Sequence, residues 1–117
     1  MIIEKPVIAT IDKYTDFAAY AETPPDMPYE YFTVQRLGGG SRDMLRTAQI
    51  AVRAFSRNSK LRAAVMIEDA IKVLKAHLAE TDGITSCKLN SSYDNTLTAT
   101  KQYCFQAVFI ITYMEAD

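Results

Sequence analysis

The 117-residue sequence predicts one α+β domain over residues 1–117, a largely antiparallel four- to five-stranded sheet with two helices packed on one face. Three observations lead there. Apolar side chains recur at steps of three and four through residues 60–80. Residues 31–37, 47–55 and 102–114 alternate with a period of two. Clusters of Gly, Pro and polar residues separate these stretches. The inferred order is helix, strand, strand, strand, long helix, strand, strand, with no internal repeat.

Residues 4–15 carry the first helix signal. Pro6 suits the first helical position, where its missing N–H costs nothing. Val7, Ile8, Ile11 and Tyr14 then share one face, and so short a helix must draw its stability from packing. Phe17–Ala21 is a compact apolar run and reads as the first strand. In Glu22–Pro28 three prolines exclude helix and interior strand alike, leaving a stiff surface connection.

In the next strand Phe32, Val34 and Arg36 alternate with Thr33, Gln35 and Leu37. Ile50, Val52 and Ala54 alternate with Ala51, Arg53 and Phe55 in a strand over Thr47–Phe55. Between them Gly38, Gly39 and Gly40 lack a Cβ, which suits positive φ or a close approach by another group. Residues 38–46 therefore read as the connection of a hairpin.

Asn58 or Ser59 offers an N-cap for the helix Lys60–Glu80. Ala64, Ile67, Ile71, Leu74 and Leu78 make its apolar stripe, widened by Met66, Ala70 and Val73. Lys75 and His77 meet the negative end of the helix dipole, and Asp82-Gly83 supplies the stop. Ile84–Leu89 is a short strand, Asn90–Lys101 a polar loop, and Gln102–Met114 the last strand. On that strand Tyr103, Phe105, Ala107, Phe109, Ile111 and Tyr113 line one face, and Cys104, Val108, Ile110 and Met114 the other. Apolar groups on both faces point to a central strand, or to one whose second face meets another subunit. A symmetric loop would set Leu89 opposite Gln102 and Cys87 opposite Cys104, two neighbouring thiols without a bridge.

Composition narrows the function. The chain is 49% apolar and 23% charged, with a formal net charge of −1, so no global basic field draws it to nucleic acid or an anionic membrane. No apolar run approaches the ~20 residues of a membrane span. The first residues, Met1–Pro6, lack the basic-then-apolar layout of a signal peptide. Two cysteines are too few for a disulfide scaffold, which suggests free thiols in a reducing compartment. A single His argues against a His-based metal site or a triad.

No constellation reads as catalytic, so neither enzymatic activity nor a cofactor or metal is expected. Gly38–Arg42 lacks the Lys and the spacing of a P-loop and leads into a strand. His77 fits a residue of a helix's last turn, and Glu68 and Asp69 have no second carboxylate at a useful spacing. Cys104, flanked by aromatics, fits a core thiol. Tyr29, Tyr31 and Phe32 form an exposed-looking aromatic cluster, either a strand end covering the core or an aromatic anchor for a subunit contact.

The order of parts from Ala21 to Phe55 resembles the tail terminator (tail-completion, minor-capsid-type) proteins of long-tailed bacteriophages. Those have a strand, a proline-containing connection, a strand ending in an Arg-x-Gly-Gly type turn, a further strand with an aromatic end, and a long helix. Phe17–Ala21, Glu22–Pro28, Tyr31–Arg36 with Leu37–Gly40, Thr47–Phe55 and Lys60–Glu80 match them in turn, and Ile84–Leu89 and Gln102–Tyr113 match the closing strands. The resemblance covers about residues 5–115, and the short first helix departs from it.

The resemblance implies a structural protein of the virion tail or neck, present in the host cytoplasm during assembly. It implies a homo-oligomeric ring, commonly a hexamer, on the head-proximal end of the tail tube. That ring stops tube polymerisation and offers the joining surface to the neck. Its partners would be other copies of the chain, the tail tube protein and the head–neck connector, with no membrane and no sequence-specific nucleic acid, although DNA passes through the ring. A closed ring needs two different patches per subunit. Candidates are Tyr29, Tyr31 and Phe32, the connection residues Gly38, Gly39, Gly40 and Arg42, Tyr93 and Asp94 in the polar loop, and the second face of the last strand. Two readings compete with it, a head-completion or neck ring protein and a small ligand-binding α+β domain. A metabolite that raises thermal stability would mark the latter.

Overall fold

In a computed structural model, residues 1–26, 28–97 and 102–114 are described. The elements are α1 (Glu4–Tyr14), β1 (Ala19–Tyr20), β2 (Glu30–Arg42), β3 (Leu45–Ser56), α2 (Lys60–His77), a 3-10 turn (Leu78–Glu80), β4 (Ile84–Asp94) and β5 (Tyr103–Met114). They form an α+β domain with one five-stranded sheet in the order β1-β2-β3-β5-β4. Every pairing is antiparallel except β1 with β2.

Both helices pack on one face of the sheet. Phe32 and Val34 of β2, Ala48, Ile50, Val52 and Ala54 of β3, and Ala107, Phe109, Ile111 and Tyr113 of β5 point to that face. They meet Val7 and Ile11 of α1 and Met66, Ile67, Ala70, Ile71 and Leu74 of α2, which share one core with them. Each large aliphatic side chain buried there contributes roughly 1.5–3 kcal/mol. The α2 stripe begins at Ala63, which is buried, and not at Ala64, which is half-buried. Ser59 caps this helix, its Oγ accepting from the Arg62 N–H at 3.0 Å. The stop is Gly83 at φ +94, a conformation that favours glycine.

Four expectations need correction. The first strand is only Ala19–Tyr20, held by the Asp12 carboxylate accepting from the Ala19 N–H at 2.8 Å. Pro6 is the third helical residue and not the first, still inside the turn whose N–H groups have no helical acceptor. The glycines are not the hairpin connection. β2 runs through them to Arg42, with a bulge between Arg36 and Gly38, and Asp43 and Met44 make the turn. Only Gly83 among the glycines has positive φ, whereas Asp43 takes φ +57. Weak strand propensity is overridden because β3 is itself anchored along its whole length by β5.

The polar stretch after Leu89 is the fourth correction, because β4 continues to Asp94 before the chain turns. Residues 98–101 of the expected loop lie outside the described residues. Bulges between Ile84 and Ser86 and between Leu89 and Ser91 shift the register, so Leu89 faces Phe109 and Cys87 faces Ile111. Cys87 is therefore seven positions from Cys104 along β5 and on the opposite face of the sheet. Both thiols are free.

Candidate interaction surface

Among the described residues no group of three or more His, Cys, Asp or Glu is placed to hold a metal ion. No helix is long and apolar enough to cross a membrane. What the fold presents instead is a sheet with one uncovered face and two chemically different ends.

The uncovered face carries a polar lattice that sequence reading did not single out. Arg53 donates from Nε to the Gln106 side-chain carbonyl and from Nη1 to that of Gln35, each at 2.6 Å. Gln106 donates in turn to the Tyr93 hydroxyl at 2.5 Å and accepts from Asn95 Nδ2 at 3.3 Å. Thr33, Ala51 and Val108 on this face are buried although no helix covers them. The long side chains around them do the covering. Polar residues at alternate positions of otherwise apolar strands, Arg53 in β3 and Gln106 in β5, were the signal available in the sequence.

The expected contact residues separate into two groups at opposite ends of β2. Tyr29 lies just before its start, 68% exposed, with the Arg57 guanidinium over its ring at 5.7 Å. Its two expected companions are not exposed. Tyr31 is 1% exposed, stacked on Phe55 at 4.9 Å between ring centres, with its hydroxyl accepting from Gln102 Nε2 at 3.1 Å. Phe32 is fully buried on the helix side, edge-on to Phe17. Successive strand residues point to opposite faces, so Tyr31 and Phe32 cannot share one surface, and packing within the subunit buries both.

Tyr93 and Asp94, on β4, lie at this same end. Tyr93 is 45% exposed. Asp94 pairs with Lys60 at 2.7 Å and accepts from the Thr96 N–H at 2.9 Å. The Lys60 hydrogen bond leads the causes that hold the Asp94 carboxyl down to about 2. The pair ties the end of β4 to the first residue of α2.

At the other end stand the glycines and Arg42. A Cβ on Gly39 would run into the Thr47 carbonyl and come within 2.7 Å of the Arg36 guanidinium. At Gly38 a Cβ would meet nothing within 4 Å, and at Gly40 only Thr47 Oγ1 at 3.8 Å. Packing within the subunit therefore explains Gly39 and leaves Gly38 and Gly40 without an internal reason. Arg42 is exposed at the last position of β2, beside Met44 and Leu45, which are 65% and 46% exposed.

Grooves complete the surface. One of about 490 Å³ runs between residues 16–17 and α2, lined by Asp16, Phe17, Arg62, Val65, Met66, Glu68, Asp69, Ile71 and Lys72. Two more, of about 300 and 290 Å³, flank Arg53 on the uncovered face. None brings a nucleophile and a base together.

No family model matches the chain, and no curated protein matches it. Among solved structures, a chain of the virion of the native gene transfer agent (GTA) particle has the same fold. It aligns with a TM-score of 0.64 over 97% of this chain and 92% of that one, at 9% sequence identity.

Proposed function

We propose that this chain is a structural protein of a phage-type virion that forms a ring on the head-proximal end of the tail tube. There it ends tube polymerisation and provides the surface that joins the head. The observation that carries the reading is the shared fold with a virion chain over nearly the full length of both. The sequence pattern independently supports it, since the strand, proline connection, hairpin and long helix follow the order of tail terminators. A net charge of −1 suits a ring through which DNA must pass without being gripped.

In this reading Tyr29, Tyr93 and Asp94 serve contacts at one end of the sheet, and Gly38, Gly40 and Arg42 serve contacts at the other. Gly39, Tyr31 and Phe32 serve the subunit's own packing. The test is electron microscopy of particles made when the gene is disabled in its phage. Abnormally long tubes, or tails unattached to filled heads, are the expected result. Filled or leaking heads beside complete free tails would move the protein to the head side of the joint. Normal virions would overturn the structural role.

A further inference from the structure

We infer that copies of this chain join head to tail, the β2–β3 turn of one copy seating in the groove beside α2 of the next. The inference rests on the ring reading proposed above and gives that ring its contact.

The turn is the first observation. A two-residue hairpin turn ordinarily favours Gly, Asn or Asp at its tip. Here the second turn residue is Met44, 65% exposed, followed by Leu45, 46% exposed, whose cross-strand neighbour Met114 is 44% exposed. An apolar knob thus projects from the end of the sheet, and exposed Arg42 and Asp43 flank it with one charge of each sign. Nothing within the described subunit buries this knob.

The groove is the second. Its floor is Phe17, Val65 and Met66, with Val65 52% exposed, and its rim carries Asp16, Asp69 and Lys72. Arg62, at its edge, is already held by Glu30 at 2.9 Å and lies over the Phe17 ring. The rim is left with carboxylates for Arg42 and an ammonium for Asp43, around an apolar floor that fits a methionine side chain. Charge sign and polarity match on both sides of the contact.

Position decides who the occupant is. Glu30, which holds Arg62 at the groove, is the first residue of β2, and Arg42, at the turn, is the last. A strand of 13 residues spans about 40 Å at 3.3 Å per residue. The molecule's long axis is 44 Å. The turn therefore cannot reach the groove of its own subunit, so in the inferred contact it enters the groove of a second copy. Such a contact uses two different patches, so each joined copy leaves a turn and a groove for the next, and a suitable rotation closes the chain of copies into a ring.

The test mixes two proteins, one Met44→Cys and the other Val65→Cys, under a mild oxidant, with cross-linked peptides identified by mass spectrometry. The wild-type protein and a Met44→Cys plus Lys13→Cys mixture give the background. A 44–65 link at least tenfold above that background is expected, and a link no stronger than background overturns the contact. Charge exchange supplies a second readout. Arg42→Glu and Asp69→Arg should each weaken self-association about tenfold, and the two together in one chain should restore it. Association unaffected by either single change also overturns the contact. The two readings fail separately. A 44–65 link in a protein whose loss leaves virions normal keeps the contact and sinks the virion role. Defective tails in the gene's absence, with normal tails from both charge variants, do the reverse.

Discussion

Arg62, in the first turn of α2, donates from Nε to both carboxylate oxygens of Glu30, at 3.1 and 2.9 Å. This joins the start of the long helix to the first residue of β2. Ser56, at the end of β3, donates its hydroxyl to the same carboxylate at 2.9 Å. Three consecutive elements, β2, β3 and α2, thus meet on one side chain.

Glu30→Gln should cost about 1–2 kcal/mol at neutral pH, since hydrogen bonds to a charged partner exceed neutral ones. Burial pushes the Glu30 carboxyl up, but hydrogen bonds from Asn58, Arg62 and Ser56, with the Arg62 charge, outweigh it and hold it below its ordinary value of 4.5. A carboxylate with a lowered folded pKa stabilises fully above its unfolded pKa and loses that contribution as pH falls through the folded one. The gap between wild type and Glu30→Gln in urea unfolding should therefore be widest above about pH 5. It should close on acidification below 4.5.

The glycines should separate by substitution. Gly39→Ala meets the Thr47 carbonyl and is expected to cost about 2–3 kcal/mol or more, as overpacking does. Gly38→Ala and Gly40→Ala have room and should be neutral or stabilise by up to about 1 kcal/mol. Thermal melts of the three variants check this. An assembly defect is then informative at Gly38 and Gly40, whereas at Gly39 it reports misfolding.

The aromatic run should split the same way. Phe32→Ala empties a fully buried site and should cost about 3–5 kcal/mol. Tyr29→Ala, at a 68% exposed position, should stay within about 0.5 kcal/mol. Denaturant midpoints of the two variants decide it, and equal losses would contradict the exposed placement of Tyr29 beside the buried Phe32.

Both thiols should be slow to react. Burial pushes the Cys87 and Cys104 thiols up to about 11, so at pH 8 little thiolate is present at either. Alkylation of the native protein should run far behind that of the urea-unfolded chain. Mass spectrometry after mild oxidation should show no link between the two cysteines, which lie on opposite faces of the sheet.

Read alone, the sequence determined the types of the main elements and the face that the long helix buries. Period-two alternation in 31–37, 47–55 and 102–114, and the three-four spacing of 60–78, are set by backbone geometry and need no partner to be legible. Ser59 and Gly83 mark their helix boundary and turn through local hydrogen bonding and φ. Only the tertiary structure decided where β2 and β4 end, which strand neighbours which, and where the expected contact residues fall. A strand's length and register follow from a ladder with distant chain, and bulges at Leu37 and after Leu89 shift that register without leaving a local composition signal. The polar lattice around Arg53 and the groove beside α2 share this origin. Gln35, Arg53, Gln106 and Tyr93 become neighbours only when four strands are laid side by side, a relation that no local spacing encodes.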